Sequence, residues 1–260
     1  MNAVDVPAED WREPLHGLRQ IARLNWPFYA GGAAVVVLAL SATPRLPLTP
    51  APRGVLYAAA VLAAFWLAAS LLASWFVYDR SNLMTGEWIP DALGFHPATW
   101  ITIHAGFDET TPAVRTILNG SSGRVFDIFD PVEMTEPSIA RARQLAGQDG
   151  DAECVNFRQL PVQPGTIDAA LLLLSAHELR THEARVALFA EIHRVLAPGG
   201  RAVVAEHLRD LPNFGAFGPG CLHFHSRRSW MRSFARAGFA VHNEFSITPF
   251  VRVFILGEST

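Results

Sequence analysis

Cysteine is scarce: Cys154 and Cys221 are the only two in 260 residues. A disulfide-stapled scaffold is excluded, and reduced thiols in a cytosolic domain are the simplest reading. Tyrosine is nearly as rare, and Tyr29, Tyr57 and Tyr78 all fall in the first third of the chain. No Tyr-x-x-x-Lys pair and no G-x-G-x-x-G turn is present. A nicotinamide-dependent oxidoreductase would lack its working parts here. Positive charge is not in excess either. The formal net charge is −3, so no general attraction to nucleic acid is expected. No internal repeat or long low-complexity tract breaks the order of the chain.

What the chain has in quantity is apolar sequence. Half of its residues are hydrophobic and the mean hydropathy is +0.19, with the excess concentrated before residue 80. Residues 11–25 place Trp11, Leu15, Leu18 and Ala22 on one helical face, with Arg12, Arg19 and Arg23 largely elsewhere. That is a short basic amphipathic helix. Residues 26–43 carry no charge, and neither do residues 55–78. The second run is ample for a tilted membrane span and the first barely sufficient. Four prolines in residues 44–54 prevent that stretch from being helical throughout. The pattern predicts a transmembrane helical hairpin. Trp26, Tyr29, Trp75 and Tyr78 lie near its ends, where amphipathic rings favour the interface. Arg12, Arg19, Arg23 and Arg80 flank the outer ends, and Arg45 and Arg53 sit in the loop. The bias predicts a multi-pass membrane protein with a cytoplasmic N-terminus and a cytoplasmic C-terminal domain. A cleavable signal peptide is not expected, because polar sequence precedes the first apolar run and a second span follows.

The expected organisation is an amphipathic segment at 1–25, a hairpin at 26–78, a linker at 79–99 and an α/β domain at 100–260. Residues 167–175 form an apolar run bounded by Pro164-Gly165, short enough for a buried strand. Residues 183–196 place Val186, Phe189, Ile192, Val195 and Leu196 at helical period. Pro198-Gly199-Gly200 should stop that helix in a tight turn, and 201–205 is a second apolar strand. Strand, helix and strand make a parallel βαβ unit. Further strands are expected at 100–105, 124–129, 153–157, 239–245 and 251–256, with a helix at 229–238 stopped by Gly238.

The run L-P-x-x-x-G-x-I-D-A, then S-A-H-E-L, then E-I-H-R-V-L-A-P-G-G-R resembles the second half of a class I S-adenosylmethionine-dependent methyltransferase of the type 11-like kind. The likeness covers roughly the last two thirds of the chain. It implies a Rossmann-like sheet with helices on both faces, here preceded by two transmembrane helices. It also implies S-adenosylmethionine as cofactor, bound at the carboxyl ends of the strands.

The resemblance then assigns residues. The first turn usually carries an acidic residue and three glycines. This chain has Thr102, His104, Gly106 and Asp108 there, so only the middle glycine matches. His104–Thr110 is similar to the G-A-G-x-D-T turn of the leucine-carboxyl-methyltransferase-like branch, in which an Asp follows the glycine by two. Ala105, Gly106 and Asp108 are the expected cofactor-binding residues of this turn. Asp130, with Asp127 as the register alternative, is expected to accept from the ribose hydroxyls. Asn156 is expected at the adenine amino group, and Phe157 either on the adenine or in the core. Ser175 and His177 fall where the family's loop passes the reactive methyl group. His177 and His207 are the candidate catalytic residues, with Glu206 beside them, since histidine titrates near neutrality.

No metal site is expected. H-E-L-R-T-H separates His177 and His182 by five, whereas two ligands on one helical face need four. Cys221, His223 and His225 alternate as on one face of an extended segment. The apolar segment after residue 207, with its aromatic residues, suits cover over a hydrophobic or lipid-like acceptor. The expected partners are the lipid bilayer and that acceptor, with no nucleic acid.

Overall fold

The computed structural model describes residues 15–146 and 151–258. Trp11 and Arg12 of the amphipathic segment lie outside the described residues. The chain divides into two compact units, residues 1–80 with 211–221, and residues 81–210 with 222–260.

The first unit is helical. Helix α1 spans His16–Leu24, α2 Trp26–Ala42 and α3 Pro50–Trp75. The two backbone N–H groups at the start of α1, on Gly17 and Leu18, donate to the Asp79 carboxylate at 2.9 Å each. Such N–H groups have no partner within the helix, so Asp79 serves as a cap supplied from a distant part of the chain. Gly17 permits the approach, because a Cβ there would meet the Tyr78 Cβ at 2.3 Å. Pro50 and Pro52 fall in the first turn of α3, where a missing N–H costs nothing. The helix therefore begins inside the proline-rich stretch. The helical stretches Trp26–Arg45 and Pro50–Arg80, which contain α2 and α3, are by length and composition apolar enough to cross a membrane. Only 6% and 11% of their most apolar windows are buried, unlike the core helices of a soluble domain. A short helix, α4 (Ile89–Leu93), opens the second unit, and Leu83, Trp88, Ile89 and Leu93 are buried. Residues 81–99 thus contribute core to that unit.

The second unit is built on a seven-stranded sheet. Its strands are β1 Thr99–His104, β2 Ser122–Asp127, β3 Ala152–Cys154, β4 Ile167–Leu173, β5 Leu196–His207, β6 Phe239–Thr248 and β7 Val251–Glu258. Their order is β3-β2-β1-β4-β5-β7-β6. The first five strands are parallel, and β7 runs antiparallel between β5 and β6. The helices are α5 Thr111–Ile117, α6 Pro137–Ala146, α7 His182–Val195 and α9 Arg227–Arg236. Nearly every residue of β1, β4 and the second half of β5 is buried, so both sheet faces are covered. Alternate residues Ile101, Ile103, Ala170, Leu172, Ala202 and Val204 share one core with Phe189 of α7 and Trp230 and Phe234 of α9.

Two local expectations change. Pro198-Gly199-Gly200 lies within the extended β5 segment as an irregularity in its pairing with β4, rather than as a turn between helix and strand. Cys221 and His223 fall in a 3-10 segment, Gly218–His223, not an extended one. That segment follows α8, Leu211–Phe217, which belongs to the helical unit. Phe214 packs edge-on against Trp66 of α3, with ring centroids 5.5 Å apart. Gly218 adopts φ +55, and a Cβ there would sit 2.5 Å from the Trp66 ring.

Candidate active site

The strand order reverses between β1 and β4, and the carboxyl ends of the strands meet there. At the end of β1 the chain turns at Ala105-Gly106. Gly106 adopts φ +89, a left-handed conformation that side chains resist. A Cβ on it would lie 2.3 Å from Arg143 Nη1. The Gly106 N–H donates to His104 Nδ1 at 3.2 Å. Asp108 Oδ1 accepts from the Thr110 and Thr111 N–H groups at 2.9 and 3.0 Å, capping α5.

Asp127 ends β2 and is only 7% exposed. Its Oδ1 accepts from Phe129 N–H at 2.9 Å, and its Oδ2 takes Arg143 Nη1 at 2.5 Å. The Arg143 guanidinium also lies 4.3 Å over the Phe129 ring. Asp130 stands in the following loop, accepting from Val132 N–H at 2.8 Å. After β3, Asn156 Oδ1 accepts from Arg158 N–H at 2.8 Å. Phe157 is fully buried in the core, with the Arg158 guanidinium 4.6 Å from its centroid.

The end of β4 is bent by Leu174, which takes φ +56 while donating its N–H to Ala205 O at 2.8 Å. A non-glycine residue pays roughly 1–2 kcal/mol for that conformation. The Ser175 hydroxyl then donates to Ile103 O at 2.7 Å, tying β4 to β1. A 3-10 turn, Ala176–Glu178, brings His177 over the end of β5. Glu206, fully buried, accepts from His177 N–H at 3.1 Å and pairs with His177 Nδ1 at 2.7 Å. His177 Nε2 lies 3.3 Å from Glu178 Oε1. Burial opposes a charge on His177, but Glu206 and Glu178 outweigh it and raise its pKa to about 10.

His207 Nδ1 lies 2.8 Å from Phe250 O. A carbonyl only accepts, so Nδ1 carries the proton and Nε2 is the basic nitrogen of the neutral ring. Phe224 stacks on this ring at 4.9 Å. Arg185 of α7 supports the turn from behind. Its Nη1 donates to Leu179 O at 2.8 Å, Arg180 O at 3.0 Å and His225 Nε2 at 2.9 Å. Burial first, then Arg180, pushes the Arg185 pKa down to about 10. Burial, reinforced by Arg185, pushes His225 down to about 3.

The sequence-predicted residues thus gather at one end of the sheet in two groups. Gly106, Asp127 and Asp130 flank the first corner, and Ser175, His177, Glu206 and His207 line the second. Sequence reasoning missed Arg143, Glu178 and Arg185. Arg143 is an unremarkable member of an I-A-R-A-R-Q-L helix, and its role exists only through the turn at Gly106. A surface groove lined by Thr99, Ser122, Arg124, Arg158, Leu160 and Arg194 lies at the amino ends of the strands, away from these groups.

This strand order, with one antiparallel strand inserted beside β5, is the sheet of class I methyltransferases. Residues 123–204 match the family model described as a methyltransferase domain. Among solved structures, the chain is similar to a SAM-dependent methyltransferase from Aquifex aeolicus, at 13% identity and TM-score 0.50, covering 67% of this chain and 90% of that one. It is also similar to geranyl diphosphate C-methyltransferase from Streptomyces coelicolor A3(2), solved with Mg2+, geranyl diphosphate and S-adenosyl-L-homocysteine. That likeness has 16% identity and TM-score 0.50, covering 72% of this chain and 82% of that one. No curated protein matches the chain significantly. The second unit has the class I methyltransferase fold, part of it (residues 123–204) is similar to a methyltransferase domain, and S-adenosylmethionine is the cofactor of proteins of that class.

The first corner fits that cofactor chemically. It offers a buried carboxylate, an aromatic face and a floor without a Cβ, and Arg143 is the cation that meets all three. Ribose hydroxyls and a sulfonium seek the same partners.

Proposed function

We propose that the protein is a membrane-anchored S-adenosylmethionine-dependent methyltransferase acting on a hydrophobic or lipid-like acceptor. The observation that carries this reading is that two nearly unburied apolar helices share a chain with a methyltransferase sheet. The chain passes from His207 at the end of β5 into α8, which starts at Leu211 and belongs to the helical unit. Leu211 and Phe214 are exposed there, which suits a segment in contact with lipid. Arg19, Arg23 and Arg80 outside the hairpin, against Arg45 and Arg53 within its loop, support a cytoplasmic catalytic domain.

The cofactor supplies an already activated methyl group. The protein's share is alignment, exclusion of water and, for an acceptor that must lose a proton, a base. In this reading Gly106 admits the methionine part of the cofactor, beside Ala105 and Asp108. Asp127 or Asp130 takes the ribose, and Asn156 takes the adenine. Ser175 fixes the end of β4 against β1. A histidine held cationic between two carboxylates donates rather than accepts at neutral pH, so His177 orients the acceptor. His207, through Nε2, is the base.

One observation favours a second reading, a catalytically inactive methyltransferase fold serving as a membrane interaction module. Arg143 fills the corner at Gly106 and pairs with Asp127. Labelled methionine separates the two readings. Cells with and without the protein are fed it, and membrane lipids and quinones are extracted. A labelled methyl on one extracted component, present only with the protein, is expected from the enzyme. Its absence with expression confirmed would favour the module.

A further inference from the structure

From the sequence no metal site is expected, since His177 and His182 are five apart and Cys221, His223 and His225 read as one extended face. The fold makes a different grouping. His177, Glu178 and His223 each present a ligand-capable atom, and these atoms lie within 4.8 Å of one another. His177 and His223 meet edge to face, with ring centroids 5.4 Å apart. We propose that His177, Glu178 and His223 form a binding site for a divalent transition-metal ion, with Zn2+ the best match to two imidazoles and one carboxylate.

Three features carry this. First, the spacing suits it. Tetrahedral ligands about 2.1 Å from an ion stand about 3.4 Å apart. His177 Nε2 and Glu178 Oε1 are separated by 3.3 Å. The third ligand, His223, ends the 3-10 segment and retains partial exposure, so its ring can turn inward to close the set. Second, His177 already has the outer partner typical of a metal-bound histidine. Its Nδ1 is held at 2.7 Å by the buried carboxylate of Glu206, which fixes the ring and aims Nε2 at Glu178. Third, Glu178 Oε2 is buried and has no hydrogen-bond partner among the described residues. A buried carboxylate oxygen left this way is costly unless a cation meets it.

The surrounding charges agree with a cation. The carboxylates of Glu136, Glu178 and Glu206 all face the two imidazoles, with Glu136 Oε1 3.4 Å from His223 Nδ1. Arg180 is the opposing charge in contact, and its guanidinium is directed at backbone oxygens, 2.7 Å from His223 O and 3.3 Å from His177 O. Two imidazoles and one carboxylate leave a coordination position for water or a ligand oxygen, as catalytic zinc sites do. The site can be filled and measured without a methyl donor, and an ion bound at His177 Nε2 would take the place of the proton that nitrogen otherwise offers an acceptor.

The test uses the full chain in detergent, stripped with EDTA and titrated with Co2+, whose visible absorption reports tetrahedral N/O ligation. Wild type is expected to bind one Co2+ per chain, displaceable by Zn2+. His223→Ala and Glu178→Gln should each abolish the visible bands. Glu206→Gln should weaken binding by about 10–100-fold, as loss of a histidine's outer partner does. His242→Ala, on β6, should change nothing. Absence of Co2+ binding by folded wild type, or undiminished binding by Glu178→Gln, would overturn the proposal. Glu178→Gln is nearly isosteric, so it serves even where His223→Ala fails to fold.

Discussion

Glu206, without any solvent exposure, holds His177 twice, through the backbone N–H at 3.1 Å and through Nδ1 at 2.7 Å. In the metal-free protein burial opposes a charge on His177, but Glu206 and Glu178 together outweigh it and raise its pKa to about 10, against about 6.5 for an unfolded histidine. A raised folded-state pKa stabilises the fold fully below the unfolded value and loses that contribution as pH climbs through the folded one. Stability should therefore decline between about pH 6.5 and 10. Chemical denaturation across that range is expected to show the slope in the EDTA-treated protein and a flatter profile in His177→Asn. Equal slopes would place the proton elsewhere.

Arg143 competes for the corner in which the cofactor is proposed to sit. Its ion pair with Asp127 joins a third-exposed guanidinium to a nearly buried carboxylate. A partly solvated pair of this kind is worth about 0.2–1 kcal/mol. Arg143→Ala should thus tighten S-adenosylhomocysteine binding modestly, by roughly 1.4- to fivefold. Isothermal titration reads this directly, and weaker binding would mean that Arg143 contacts the cofactor rather than excluding it.

How far the sequence reveals this site depends on the range of the interaction. The β4–α7–β5 unit is legible because its signals are local, a buried apolar run and a helical period, although Pro198-Gly199-Gly200 falls inside β5 and not between helix and strand. The end of β2 was not. F-D-I-F-D offers carboxylates at 127 and 130, and the ladder stops at Asp127, where it pairs with Cys154 of the short β3. Asp130 is left in the loop. His223 beside His177, and Arg143 over Gly106, are tertiary meetings that no local pattern encodes.

Gly106 should tolerate no side chain. At φ +89, with its would-be Cβ 2.3 Å from Arg143, Gly106→Ala combines backbone strain with a clash. The expected loss is above about 1 kcal/mol of stability. Thermal melting of the two proteins side by side measures it, and an unchanged midpoint would refute the left-handed turn.

Arg185 is a positioning residue, since it reaches the site only through the 177–180 turn and His225. Arg185→Lys keeps the charge but loses the planar fork. Either the Leu179 or the Arg180 carbonyl should then lack a partner, at about 1–3 kcal/mol. Destabilisation seen in urea, together with a fall in kcat larger than any change in KM, is the expected result. An effect on stability alone would confine Arg185 to a structural role.

Whether this sheet end holds S-adenosylmethionine is read by isothermal titration of the full chain in detergent with that cofactor. Saturable one-to-one binding by wild type is expected, lost when Asp127 and Asp130 are both changed to Ala in a protein that remains folded. Folded wild type that releases no binding heat at several temperatures would contradict it.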